Sequence, residues 1–178
     1  YLSREHSREI YEAGTEFQIG KIEMVANTGT YVDCPFHRYE NGKDLSQVAL
    51  AAFAGLAGVV VHVNDDRVTG IGPEFFEGLD LAGKAVLVNT NWSKYWRTDG
   101  YFENHPFLTE QAAVYLKEQR VALVGIDSHN IDDTRTRRRP VHTILLGADI
   151  LIVEHLTNLA KLPDTGFTFN AVPPKFKG

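Results

Sequence analysis

Short apolar runs separated by polar or helix-patterned stretches set the rhythm of the chain. Gly58-Val59-Val60-Val61-His62-Val63, Ala85 to Val88, Val121 to Ile126 and Ile150 to Val153 are rich in branched side chains. Each is short, which predicts buried strands rather than helices. Glu154 closes the last of them. Phe167, Phe169 and Ala171 alternate before Pro173-Pro174 and predict a final strand. Leu108 to Gln119 is the clearest helix, with Thr109 as its cap and Ala112, Ala113, Leu116 and Tyr115 on the buried side. Val141 to Leu146 predicts a shorter helix leading into the fourth strand. Strands alternating with helices predict an α/β fold with a mixed sheet. No repeat, low-complexity tract or linker divides the chain, so residues 1–178 read as a single domain.

The first third is less regular. Residues 2–12 read as a helix or a polar arm, and Thr15 to Ala26 as extended chain. Phe17 and Ile19 alternate, after which the apolar phase shifts to Ile22, Met24 and Ala26. That slip beside Gly20 predicts a bulge or tight turn between two strands. Thr30 to Cys34 continues extended until Pro35, which cannot donate to a ladder. Asn41-Gly42 marks a turn, Asp44 or Ser46 can cap a helix through Val48 to Phe53, and Pro73 to Phe76 reads as a helical turn.

Composition narrows the class. The chain has 178 residues, 43% of them hydrophobic, which is ordinary for a globular protein with one sizeable core. A net charge of −5 gives no electrostatic case for nucleic acid. Arg135, Arg137, Arg138 and Arg139 read as a solvated or subunit-contacting patch. No apolar stretch reaches the roughly 20 residues that span a bilayer, and the polar start Ser3 to Glu9 is unlike a signal peptide. A lone cysteine, Cys34, forms no internal disulfide, so a reducing, cytoplasmic setting is expected. Tyr1 rather than Met opens the sequence, which leaves room for a preceding segment.

Ionisable groups collect where apolar strands end. Asp33 and His37 flank Pro35, Asp127 follows the third strand, Glu154 ends the fourth, and His142 opens the helix before it. A carboxylate ending a buried strand is costly unless it is paired or bound to metal. Carboxylate oxygen with imidazole nitrogen suits Zn²⁺ or Mn²⁺, and water on such a metal becomes a nucleophile near neutral pH. A free imidazole nearby can shuttle the proton. No serine elbow, glycine-rich phosphate loop or cysteine pair is present, so those mechanisms drop out. Trp92, Tyr95 and Trp96 can line an aromatic pocket or pack at a subunit interface. Cys34 and His62 read as core residues and His105 as a loop residue; His129 has no assignment. His155, next after Glu154, is expected on the opposite face of its strand.

The stretch Asn27-Thr28-Gly29-Thr30-Tyr31-Val32-Asp33-Cys34-Pro35-Phe36-His37 resembles the signature H-x-G-T-H-x-D-x-P-x-H of the cyclase family of metal-dependent hydrolases. That family includes kynurenine formamidase and isatin hydrolase. The resemblance runs on through Asn91-Trp92-Ser93, His105-Pro106, Gly125-Ile126-Asp127, Pro140-Val141-His142 and Glu154. It implies a swivelling β/β/α-type fold, assembly as a homodimer or homotetramer, and hydrolysis of an amide or lactam-type C–N bond in a small molecule. By resemblance, Asp33 matches a bridging or chelating aspartate and His37 an acid/base histidine. His142 and Glu154 match a downstream pair that completes a second metal site.

Asn27 and Tyr31 depart from the pattern, standing where the family has metal-binding histidines. An amide oxygen and a neutral phenol are poor ligands for Zn²⁺. The expected site therefore holds one divalent metal, Zn or Mn, on Asp33, His142 and Glu154. His37 manages the proton, Tyr31 donates to the developing oxyanion, and Asn27, Thr30, Trp92 and Trp96 touch substrate. Two alternatives stand beside it. Either the metal is absent and Asp33, His37 and Tyr31 form an acid/base set for hydration, cyclisation or isomerisation, or the protein binds a small molecule without turning it over.

Overall fold

The structure is a computed structural model that describes residues 1–174. In chain order its regular elements are α1 (Arg4–Ile10), β1 (Tyr31–Asp33), α2 (Pro35–Arg38), β2 (Leu56–His62), β3 (Gly70–Ile71) and β4 (Ala85–Asn89). Then come β5 (Phe107–Leu108), α3 (Glu110–Glu118), β6 (Leu123–Ile126), α4 (Pro140–Leu146), β7 (Leu151–Glu154) and β8 (Phe167–Phe169). Six strands form one mixed sheet in the order β1-β7-β6-β4-β2-β8, and β3 pairs with β5 apart from it. Strands β2, β4, β6 and β7 run parallel, flanked by antiparallel β1 and β8.

Burial on both faces explains the near-continuous apolar runs of the central strands. Val86, Val88, Val124, Ile126 and Ile152 pack on one side with Ala112, Ala113 and Leu116 of α3 and Val141 and Leu145 of α4. Ala85, Leu87, Leu123, Leu151 and Val153 face the other side with Cys34, Phe53, Leu156 and Leu159. Helix α3 starts as its sequence demands, with the Thr109 side chain accepting from Ala112 N.

The register of β1 matters most for function. Tyr31 lies opposite Glu154 and Asp33 opposite Ile152. Cross-strand partners share a face, so Tyr31 and Asp33 project to the side that α4 covers.

Several local expectations change. Residues 15–26 do not form paired strands. Among the described residues their backbone pairing with another segment is one bridge, between Leu2 and Ile19, and Phe17, Ile19, Ile22, Met24 and Val25 are exposed. Alternation alone cannot make a strand where no neighbouring strand accepts it. Pro35 opens α2 at its first turn instead of merely ending β1. The helix expected through Phe53 shrinks to one 3₁₀ turn, Leu50–Ala52, while Asp44 Oδ1 accepts from Ser46 N (2.9 Å) and Gln47 N (3.1 Å). Leu108 ends β5 instead of starting α3. Among the described residues, no helix is long and apolar enough to cross a membrane.

Candidate active site

Strand β1, the one-turn helix α2, helix α4 and the end of β7 converge at one edge of the sheet. The α2 turn carries His37, whose backbone N–H returns to Cys34 O at 2.9 Å. The following loop folds against that turn, with Phe36 N donating to Lys43 O (3.1 Å). Gly42 allows this approach, since a Cβ there would stand 2.6 Å from the Pro35 carbonyl carbon. The α2 turn holds the exposed His37 imidazole with Nδ1 3.4 Å from Asp33 Oδ1.

Three carboxylates surround His142, and all four groups are buried. Its Nδ1 bonds Asp132 Oδ2 at 2.6 Å. Its Nε2 faces Asp33 Oδ2 at 3.7 Å and Glu154 Oε1 at 3.6 Å. Burial alone would lower the imidazole. The carboxylates of Asp132, Asp33 and Glu154 prevail and raise it to about 9. Burial likewise raises Glu154, to about 6. Asp132 also accepts from Val141 N (2.8 Å) and His142 N (3.1 Å), so it anchors the first turn of α4 as well as the ring.

Tyr31 and Asn27 act as hydrogen-bond donors here. The Tyr31 hydroxyl bonds Glu154 Oε2, and Ile131 N donates to Glu154 Oε1 at 2.7 Å. Burial, with the Glu154 charge, holds the phenol far above its ordinary range and therefore protonated. Asn27 Nδ2 donates to Asp33 Oδ1 at 3.3 Å. One oxygen of the cluster, Asp33 Oδ2, is fully buried with no hydrogen-bond partner among the described residues, while His142 Nε2 stands off at 3.7 Å.

Such an atom is expensive unless something electropositive completes it. Asp33, His37 and His142 each offer one ligand atom, and these lie within 4.8 Å of one another. The donor set, one carboxylate oxygen and two imidazole nitrogens, fits Zn²⁺ or Mn²⁺. Glu154 adjoins this group at His142 with both of its oxygens already accepting hydrogen bonds.

A cavity of about 190 Å³ opens beside Tyr31, lined by Gly29, Thr30, Ser93, Trp96, Tyr101, His155, Leu156 and Thr157. Thr30 and Trp96, two of the residues expected to touch substrate, both line it. Trp92 lines a different cleft and donates Nε1–H to Tyr101 O (2.9 Å), bracing the loop. Asp127 stays out of the cluster, its Oδ1 accepting from Thr90 N (2.9 Å) and Oγ1 (2.6 Å). His105 is a buried structural residue held by Pro106 O and Thr134 Oγ1. His62 is bonded as expected, to Asn89 and Asp164, but is only half-buried.

His155 departs from the sequence reading. Its φ of 57° is left-handed, so strand alternation stops at Glu154 and the ring comes to lie 5.4 Å from Tyr31. Of the residues at the cluster and the cavity, Asp132, Tyr101 and His155 had no role assigned from sequence.

A family model described as putative cyclase matches residues 2–133. A kynurenine formamidase from Geobacillus thermodenitrificans is 32% identical over 139 residues, covering 78% of this chain and 64% of its own length. The chain thus spans just under two thirds of that relative. A kynurenine formamidase from Bacillus cereus is 26% identical over 163 residues, covering 91% of this chain and 75% of its own. Among solved structures, isatin hydrolase A from Labrenzia aggregata superposes with a TM-score of 0.77 at 26% identity, covering 92% of this chain and 72% of that one. A potential metal-dependent hydrolase with cyclase activity gives 0.70 at 28% identity, covering 82% and 69%. The chain belongs to the cyclase family.

Proposed function

We propose that this protein is a hydrolase that opens the C–N bond of a small amide or lactam with the help of one divalent metal, Zn or Mn. The observation that carries the reading is the buried, unpartnered Asp33 Oδ2 facing His142 across 3.7 Å. Relatives named kynurenine formamidase and isatin hydrolase support the bond type.

Asp33, His37 and His142 would hold the metal, with Glu154 joining them if it releases Tyr31. When bound, the metal supplies Lewis-acid polarisation of a carbonyl and a water acidic enough to attack near neutral pH. Asp132 fixes the ring orientation of His142 from Nδ1, as an outer-shell carboxylate does for a ligating imidazole. Glu154, pushed up to about 6, can take a proton and return it to the leaving nitrogen. Tyr31 orients that carboxylate, and its single O–H is given to Glu154 rather than to an oxyanion. Thr30 and Trp96 would contact the rest of the substrate. Large apolar side chains exposed along the first part of the chain, from Ile10 to Val25, support a homo-oligomer that covers them.

The test is direct. Protein stripped with a chelator and titrated with Zn²⁺ or Mn²⁺ should bind one equivalent and regain hydrolysis of an aryl formamide or of isatin. Asp33→Ala should lose both. Turnover that survives prolonged chelation would favour the metal-free acid/base set of Asp33, His37 and Tyr31. Ligand binding without turnover in the loaded protein would make it a binding protein.

A further inference from the structure

His155 sits in the left-handed region at φ 57°, a conformation uncommon for residues with a Cβ though tolerated better by His, Asn and Asp than by most. Glycine would adopt it freely. The sequence places an imidazole there instead, and the surroundings hold it in place. Thr30 Oγ1 donates to His155 O at 2.7 Å, and His155 N donates to Ser128 O at 3.3 Å. The ring sits among aromatic neighbours, with Trp96 edge-on at 5.6 Å and Tyr31 at 5.4 Å. Tyr101 Oη lies 3.0 Å from His155 Nδ1. Strain kept in place by its neighbours at the wall of a cavity is a mark of function.

The metal-ligating group makes no use of this ring, and Nε2 has no hydrogen-bond partner among the described residues. The ring lines the 190 Å³ cavity between Thr30 and Trp96. That volume is below the ~300 Å³ at which drug-sized sites begin, so the occupant is a small molecule.

We propose that His155 is a specificity-determining residue, which Tyr101 fixes by donating to Nδ1 so that Nε2–H points at an acceptor on the planar, non-reacting part of the substrate. This inference rests on the reading that the reacting bond lies at Asp33 and His142. A flat ring carrying a carbonyl or ring oxygen at its edge would stack against Trp96 and accept from His155. Once a ligand covers the half-buried ring, a donor left without its acceptor is costly, which is how such a contact discriminates between ligands.

Calorimetry on the chelated protein tests this with two probes, isatin, which is planar and aromatic, and 2-pyrrolidinone, which carries the lactam alone. Isatin should bind the parent protein at least ten-fold more tightly than 2-pyrrolidinone. His155→Gly should weaken isatin at least ten-fold while the thermal midpoint holds or rises, because glycine relieves the left-handed strain. His155→Asn, which tolerates that backbone and keeps an N–H donor, should recover part of the loss. Tyr101→Phe should weaken isatin several-fold by freeing the tautomer. If the loaded enzyme turns isatin over, His155→Gly should raise KM with kcat changed less than three-fold.

Isatin affinity within two-fold of the parent in His155→Gly, or no isatin binding by the parent, would overturn the proposal. If the parent binds isatin and His155→Gly does not, yet the loaded parent hydrolyses nothing, the hydrolase reading fails and the role of His155 stands.

Discussion

Consider Asp132→Ala in protein kept free of metal. The carboxylate bonds Val141 N, His142 N and His142 Nδ1, and it is 1% exposed. Its loss acts in two separable ways. Two N–H groups at the start of α4 lose their acceptor, a capping defect of about 0.5–2 kcal/mol. His142 also loses the carboxylate that does most to lift it from 6.5 to about 9. The whole of that lift corresponds to about 3 kcal/mol favouring the protonated folded state. Asp33, at 3.7 Å, and Glu154, at 3.6 Å, keep a share of it, and the His37 ring, 5.7 Å away, opposes it when charged.

The pH dependence separates the two parts. His142 has its folded value raised, so its contribution is complete below about 6.5 and is lost as pH rises through about 9. The destabilisation by Asp132→Ala should therefore be roughly 3–4 kcal/mol near pH 6. It should shrink toward the capping value of about 0.5–2 kcal/mol near pH 10. At this chain length 1 kcal/mol moves the melting midpoint by ~2–4 °C, so the midpoint should fall by about 6–16 °C at the lower pH and by much less at the higher. Thermal melts with chelator present, followed by circular dichroism across that pH range, give the answer. A gap between parent and variant that stays constant with pH would refute the assigned ion pair and leave Asp132 as a helix cap only.

Three further outcomes follow from the same contacts. Asp33→Ala should abolish metal uptake, read by elemental analysis, and cut turnover by at least about 10²-fold with unchanged far-ultraviolet dichroism. Retained stoichiometric metal would contradict the ligand assignment. Gly42→Ala would place a Cβ 2.6 Å from Pro35 C and 2.8 Å from Phe36 N. Stability should drop by about 1–3 kcal/mol, and activity with it as the His37 turn is displaced; a neutral substitution would show that the loop yields easily. Tyr31→Phe leaves Glu154 Oε2 without its donor. A loss of about 1–3 kcal/mol is expected in chemical denaturation of chelated protein, and an unchanged midpoint would mean that water satisfies the carboxylate.

What the sequence revealed depended on where the controlling interaction lay. Strands β4, β6 and β7 were legible because burial on both faces leaves a local apolar run. Asp33, His142 and Glu154 were legible because each ends or begins such a run, and polar groups there need a partner. The alternation of Phe17 and Ile19 misled because nothing in a local pattern says whether another strand will pair with it. Asp132 was missed because its role depends on α4 folding back across a loop of ten residues, while its own neighbourhood is an ordinary polar turn. His155 was assigned to the wrong face by period-two reasoning, which fails at the first left-handed residue.

The pairing of β1 with β7 has a consequence for how the molecule is made. Tyr31 and Glu154 are 123 residues apart in the chain, and the strand that joins them is only three residues long. Closing a loop of that size costs about 4 kcal/mol of chain entropy by the usual logarithmic rule, and so short a ladder does little to offset it. The polar clasp of Tyr31 on Glu154 and Asp33 on His142 must then help to hold the edge strand down. A chain leaving the ribosome has no site until residue 154 emerges, and distant contacts of this kind form slowly. Any cation that seats on Asp33 and His142 would bind only the closed form, holding the edge strand β1 in place by mass action. The groups assigned to chemistry are thus also the fastener of that edge.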